Sequence, residues 1–425
     1  MDSVVLLHLL HSLAPRFSWR LSAVHVHHGI SSNADIWADF CSQLCAQHGV
    51  PLHIERVDIS GLRDDHGIEA AARKLRHAAF ARQSCDFVAL AHHADDQAET
   101  LLLQLLRGAG IKGVAAMPVL SKVEGPVLSH VEGSGLEPAT AQTHATVRPL
   151  LDISRAQLLE YAQQHVLSWV EDESNADDHY PRNFLRHRLL PVLEQKFPAY
   201  RDTLMRSARH FAEANALLDD LALQDAQGQV GAMPLDTSIL SGLSASRAKN
   251  LLRYWLHVQG APMPQNVQLE EILHQLLHAR KDAAVCVDFG SWQVRRYQDK
   301  VHAMRILGDF DRNLVLAWRG EAAVEWPALN SCLNFRQVQG QGISLEKLQS
   351  APVTLRLRNG GETLRPHHAA AKRSLKNLLQ ERLVPPWQRE RLPLLYCGNE
   401  LVCVVGVAVA AGFQASKLEP AIVVE

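Results

Sequence analysis

Apolar and polar residues in the first hundred positions alternate with two different periods, and the switches between them predict the architecture. Val4–Leu10, behind Asp2-Ser3, reads as a buried helix, and Leu21–Val26 as a short strand with Gly29 just after it. Helical spacing runs from Asn33 to His48, and Pro51–Val57 is strand-like. Glu69–Ser84 is Ala-rich and helical, Asp86–Ala91 is a short apolar strand, and Gln97–Arg107 is helical until Gly108 and Gly110 stop it. Short apolar strands alternating with helices predict an α/β fold, a doubly wound parallel sheet with helices on both faces. In such sheets ligands collect at the carboxyl ends of the strands, where strand order reverses. The series opens on a helix, so the first strand of the sheet is missing from the pattern.

Beyond the alternating region, Pro118–Gly125 is followed by a near copy, Pro126–Gly133. Two octapeptides are too few and too short for a solenoid, and residues 118–146 are expected to form a flexible surface insertion with no chemistry of its own. From Ser154 to about Arg280 the pattern is mostly helical, as in Arg201–Leu223 and Arg247–His257, with Pro262 and Pro264 interrupting before Leu269–Ala279. Strand patterns return at Val285–Asp288 and Trp292–Tyr297. Residues 311–350 have weak periodicity and read as a connector. From Val353 a small α/β unit follows, with strands at Val353–Leu357, Leu394–Tyr396 and Leu401–Val409 and a helix at Ser374–Glu381. The expected domains are therefore 1–195 (carrying the 118–146 insertion), 196–310, the 311–350 connector, and 351–425.

Composition narrows the class. With 47% hydrophobic and 21% charged residues among 425, the chain buries a real core. A net charge of −2 argues against a surface coated in positive charge but leaves room for local basic patches. Seven cysteines, none in a C-x-x-C pair, speak against a zinc ribbon and a disulfide framework. No 18-residue apolar run and no cationic signal segment occurs, so a soluble cytoplasmic protein is expected, with no membrane partner.

Chemistry concentrates in a few strings. Leu90-Ala91-His92-His93-Ala94-Asp95-Asp96-Gln97-Ala98-Glu99-Thr100 follows a buried strand and opens a helix. His92, Asp95, Asp96 and Glu99 recur at helical intervals, which brings several of them onto one face. Paired carboxylates beside imidazoles can hold Mg²⁺ or orient an incoming amine; one aspartate alone would more simply cap the helix. His25-Val26-His27-His28-Gly29 stands at another strand end and suits phosphate or base contacts better than zinc, since no cysteine supports a metal there. Arg107-Gly108-Ala109-Gly110 lets backbone approach a ligand, although glycine after a helix is commonly just its terminator. Arg182, Arg186 and Arg188 follow an acidic run, Glu171-Asp172-Glu173, and suit phosphates, with a solvated helix face as the plain alternative. Lys372, Arg373 and Lys376, expected on one short helix ahead of Pro385-Pro386-Trp387, suit a folded RNA backbone.

Taken together, these strings resemble the tRNA(Ile)-lysidine synthetases, a branch of the PP-loop (N-type) ATP pyrophosphatases. The resemblance runs through His25–Gly29, Glu69–Arg76, His92–Thr100, Arg148-Pro149-Leu150-Leu151 and Trp169–Arg186, then Arg295-Arg296-Tyr297, Arg358–Gly361 and Pro385-Pro386-Trp387. It implies an adenine nucleotide alpha hydrolase-like catalytic domain, a helical tRNA- and substrate-binding domain, and a C-terminal tRNA-binding domain. ATP and Mg²⁺ would be used to join free L-lysine to C2 of the wobble cytidine of a CAU-anticodon tRNA(Ile), through an adenylated cytidine, with pyrophosphate and AMP released. By the same resemblance, Asp2, His92, Asp95 and Asp96 are the expected catalytic residues. Asp2, Ser3, His27, His28, Gly29, Arg107 and Gly108 would bind nucleotide, with Asp2 also at the metal. Arg182, Arg186, Lys372, Arg373 and Lys376 would contact tRNA, and a second copy of the chain is a candidate partner.

Two departures from the family pattern bear on this. The signature loop Ser-Gly-Gly-x-Asp-Ser is represented only by Met1-Asp2-Ser3, so the start is expected to lie inside the loop, with weakened ATP binding and marginal stability as the consequence. The 118–133 repeat is the second, and is expected to do little. Competing readings are another PP-loop tRNA-modifying enzyme, or a catalytically inactive tRNA-binding remnant; a thiolase would be expected to show paired cysteines, which the sequence lacks.

Overall fold

Short elements with one apolar face must find partners far along the chain, and in the computed structural model they do so in two separate units, 1–218 and 219–425. The structure describes residues 1–58, 68–122, 145–231, 234–280, 282–306, 308–326, 329, 331–367 and 371–425. Among the described residues, no helix is long and apolar enough to cross a membrane.

In the first unit, α1 (Asp2–Phe17) leads to β1 (Ala23–His27), α2 (Ala34–Gln47), β2 (Leu52–Arg56), α3 (Ile68–Ala81), β3 (Phe87–Ala89) and α4 (Ala94–Leu106). β1 pairs with β2 in parallel, Ala23 opposite Leu52 and His27 opposite Arg56. β3 pairs in parallel with β5 (Ala145–Val147), which pairs antiparallel with β4 (Leu120–Lys122). The α/β class with parallel strands is as the pattern predicts. Among the described residues no ladder joins β1–β2 to the β3–β5–β4 sheet, as expected of a sheet whose first strand is missing from the pattern. α1 packs through Val5 and Leu6 on Leu158 and Ala162 of α5 (Arg155–Gln164), with Leu150 closing this small core.

The expected insertion needs correction at both ends. Leu120–Lys122 and Ala145–Val147 are ladder strands, with Thr146 buried between them. Three residues are too few to show a period of two, so only the pairing reveals them. The remainder of the repeat lies outside the described residues.

In the second unit, α9 (Ala245–Val258) and α10 (Asn266–His278) cover the antiparallel ribbon β7 (Cys286–Phe289), β8 (Trp292–Tyr297) and β9 (Lys300–Arg305). Leu251, Leu252, Trp255, Leu269, Ile272 and Val294 fill the space between them. The expected connector also needs correction. Within it, β10 (Leu316–Trp318), β11 (Ala323–Trp326), β12 (Ser331–Gln339) and β13 (Ile343–Ser344) are strands. β10 pairs with β14 (Val353–Arg356), and β12 and β13 both pair with β20 (Pro420–Val424). Trp326 is fully buried in that core. Most of these strands are short, and the β20 partner of β12 and β13 lies far along the chain, so local periodicity carries little of the signal.

Candidate active site

The chain leaves β3 in extended form and turns into α4 at His93, whose φ of −126° and ψ of −179° make it the N-cap. Its Nδ1 accepts the Asp96 N–H at 3.4 Å, and its own N–H donates to Asp96 Oδ2 at 3.1 Å, a reciprocal box that satisfies two of the amides a helix start leaves unpaired. With Nδ1 accepting, the ring proton sits on Nε2. That nitrogen lies 3.5 Å from Asp96 Oδ2 and 3.9 Å from Asp2 Oδ2, so the first turns of α1 and α4 meet at one imidazole. Asp2 Oδ1 is buried with no hydrogen-bond partner among the described residues. A carboxylate oxygen in that position requires an incoming cation or donor.

The three acidic groups of the string divide by what they touch. Asp95 turns aside: Oδ2 accepts the Arg155 N–H at 2.8 Å and Oδ1 the Arg201 Nε at 2.6 Å, tying α4 to α5 and to α8 (Tyr200–Asp225). Burial raises its pKa, but these two donors prevail and hold it below the usual carboxylate range. Glu99, one turn beyond Asp96, is completely buried and takes Arg186 in a fork, Nε to Oε1 at 2.8 Å and Nη2 to Oε2 at 3.1 Å. Arg182 Nε approaches the same carboxylate at 3.4 Å, while its Nη2 donates to Thr100 Oγ1 at 3.0 Å. Burial raises Glu99, and Arg186 opposes it. Arg186 also reaches Asp96 Oδ1 at 3.6 Å, which joins the arginine pair to the His93 corner. Arg186 belongs to a π-helical turn, Leu185–Leu189, that precedes Pro191; the proline ring displaces the carbonyl four residues back and widens the turn.

The histidines divide in the same manner. His27 is buried, its Nε2 3.2 Å from Asp35 Oδ1 and 3.5 Å from Arg56 Nη1. His28, beside it, has both ring nitrogens buried without a partner, and burial, with Arg76 next, pushes it down to about 4. His92 behaves alike: Nδ1 is an orphan, and burial, with Arg148, Arg182 and Arg73 against Asp96, lowers it to about 4. Both are neutral imidazoles at physiological pH, with hydrogen-bonding atoms that nothing among the described residues uses. Gly29 turns the chain after β1 at φ +66°, in the left-handed region. The loop after it is clasped by Glu173, which accepts from Ser31 Oγ and, at 3.3 Å, from Asn33 Nδ2.

Asp2, Asp96, Arg182 and Arg186 are thus brought together, and Ser3 follows Asp2 as an exposed first-turn residue of α1. Arg107 and Gly108 are not: they terminate α4, about 20 Å along the helix from His93 at 1.5 Å per residue. Lys372, Arg373 and Lys376 lie in the second unit, and only Lys376 is on the helix, α11 (Leu375–Glu381). Arg373 belongs to the strand β16 (Arg373–Ser374) and forks onto Glu381 at 2.8 Å. Sequence reasoning named Glu99 only as part of the His92–Glu99 set, without a role of its own, and did not name His93 as a site residue. The cap position of one, with an acid three residues on, and the i, i+3 step from Asp96 to the other are the signals that could have found them.

The chain is similar to known proteins along its length. A PP-loop domain model matches residues 1–193, a TilS substrate binding domain 235–302, and a TilS substrate C-terminal domain 353–425. The tRNA(Ile)-lysidine synthase of Nitrosomonas europaea is 41% identical over 423 residues, covering 100% of this chain and 89% of that protein. The chain belongs to the tRNA(Ile)-lysidine synthase family. The synthases of Coxiella burnetii and Azoarcus sp. are 37% and 39% identical, over 98% and 99% of this chain and 89% and 88% of theirs. This is the family the motifs resemble, and its PP-loop domain is an ATP-using one. The His93–Asp96 corner and the Glu99–arginine fork lie inside the matched PP-loop domain.

Proposed function

We propose that this chain joins L-lysine to C2 of the wobble cytidine in a CAU-anticodon tRNA(Ile) at the expense of ATP. The C2 oxygen attacks the α-phosphorus and pyrophosphate leaves. The lysine ε-amine, having lost its ammonium proton, then adds at C2, and AMP departs with the oxygen. The observation that carries this reading is the meeting of Asp2, His93, Asp96 and Arg186 at the first turns of two helices, in a chain whose relatives are synthases of this name.

Each group has a physical task. The positive ends of α1 and α4 favour a polyphosphate, and Arg186 adds a fixed cation beside them. Mg²⁺ is ordinarily held by one or two carboxylates with substrate phosphates completing the shell. Asp2, with its unpartnered buried oxygen, and Asp96 fit that demand; the ion would neutralise charge on the phosphates. Asp96 also suits a lysine head group, while Arg182 and Arg186 disfavour the ammonium and so favour the free amine that must attack. The neutral, unpartnered His92 and His28 suit the edges of an uncharged base better than phosphate. Free lysine, Mg²⁺ and the tRNA contacts of Lys372, Arg373 and Lys376 belong to this proposal.

The test is an assay of the chain with ATP, labelled lysine and a CAU-anticodon transcript. Lysine incorporation and AMP release in equal amounts are expected, together with a loss of at least a hundredfold in Asp96→Asn. Incorporation into a transcript with a different wobble base, or none into the CAU transcript, would overturn the assignment.

A further inference from the structure

The end of α1 remote from the candidate site carries a patch that the reaction does not use. Phe17 and Trp19 stack at 4.8 Å with their planes 17° apart, yet they are 50% and 45% exposed. The stack is held in place by the end of α1: Ser18 adopts the left-handed conformation and the Trp19 N–H returns to the Ala14 carbonyl at 3.0 Å. Arg16 lies over the Phe17 ring at 5.4 Å, and Arg20 follows the stack. Both arginines are exposed, and neither has an ion-pair partner among the described residues. Between Asp2 and Asp35 the chain contains no Asp or Glu. Rigid exposed aromatics beside unpaired guanidinium groups are what a single-stranded nucleic acid requires: rings for a splayed base and cations for the flanking phosphates.

We infer that Arg16, Phe17, Trp19 and Arg20 form a contact for the sugar–phosphate backbone and an unstacked base of the RNA substrate. The inference rests on the function proposed above for the identity of that RNA. α1 spans 16 residues, about 24 Å at 1.5 Å per residue. At roughly 3.4 Å per stacked nucleotide, this separates the patch from Asp2 by about seven nucleotides of one strand. A tRNA whose wobble base is at the candidate site therefore has nucleotides within reach of it. A second copy of the chain is the poorer occupant, because a two-fold contact would set two identical cationic patches against each other.

Binding of the full chain to the CAU-anticodon tRNA and to an unrelated tRNA, titrated across a salt series, tests this. Arg16→Glu with Arg20→Glu should weaken both RNAs at least tenfold near 100 mM salt and lower the salt slope by about two. Trp19→Ala should weaken both about tenfold, and Trp19→Phe, which keeps a ring for stacking, should restore most of the loss. Circular dichroism and melting of each variant confirm that the fold is retained. Unchanged affinity and slope in the folded double variant would overturn the inference. So would sedimentation showing that the patch holds two copies together while RNA binding is unaffected. Failure of the wild type to prefer the CAU tRNA would count against the proposed function, not against the patch, since both RNAs carry the same backbone.

Discussion

Glu99 shows how much one buried carboxylate organises. It has no exposed surface, and its charge is tolerable there because Arg186 forks onto it and Arg182 stands beside it. Removing it leaves two cations without their anchor, so Glu99→Ala is expected to cost about 3–5 kcal/mol, read as a fall in the denaturation midpoint. Glu99→Gln keeps the shape and should cost less stability, yet still lose activity, because a neutral amide aims Arg186 weakly. Equal losses of stability in the two variants would show that the charge alone carries the effect and would contradict the smaller loss expected for Glu99→Gln. Asp2 makes the complementary case: Asp2→Asn removes charge from the unpartnered oxygen while leaving Asp96 and His93 in place. It should raise the Mg²⁺ concentration for half-maximal activity by tenfold or more with little change in melting temperature.

Helix α4 is where local rules and function coincide. The capping box fixes the rotamer of His93, so the stability of the helix start and the placement of the Nε2 proton depend on the same ring. Loss of such a cap in His93→Ala should cost about 1 kcal/mol. Strand ends feeding into helix starts also bury imidazoles, and this makes the first unit acid-sensitive. His28 and His92 are lowered to about 4 from an unfolded value of 6.5, so between those limits the unfolded chain binds more protons than the folded one. Stability must therefore fall as pH drops from about 6.5 toward 4. His92 contributes up to about 3 kcal/mol of that fall, and the half-buried His28 less, because solvent screens it. Urea titrations at pH 7 and pH 5 should show the loss, and His92→Gln should reduce it; a pH-independent midpoint would contradict it.

At the scale of the whole molecule, the sheet that holds β11, β12 and β13 is completed by the last strand of the chain. β20 lies between β12 and β13, and Trp326 is sealed in the core that this arrangement closes. Trp326→Ala should cost about 3–5 kcal/mol through the cavity it leaves. Removing residues 420–425 should abolish cooperative unfolding of the second unit, measured by calorimetry, while the transition belonging to residues 1–218 persists. Loss of both transitions together would show that the two units fold as one.

Long, strongly patterned elements were legible from the sequence alone. The α1 helix, the helix at Ala34–Gln47, the strand Trp292–Tyr297 and the α4 helix each carry enough turns or alternations for periodicity to specify them. The reactive string from His92 to Thr100 was legible as well, because a strand end followed by a helix start is a local event. Three-residue strands were not, since Leu120–Lys122 and Leu316–Trp318 exist only through their ladders. The assignment of roles within the string also came from tertiary packing. Asp95 and Asp96 are neighbours of one type, yet α5 and α8 claim the first, and the second is left facing Asp2. Sequence determined which side chains arrive at the end of the sheet. Only the fold decided which of them already have partners, because a carboxylate or imidazole is free for chemistry when distant elements leave it unsatisfied.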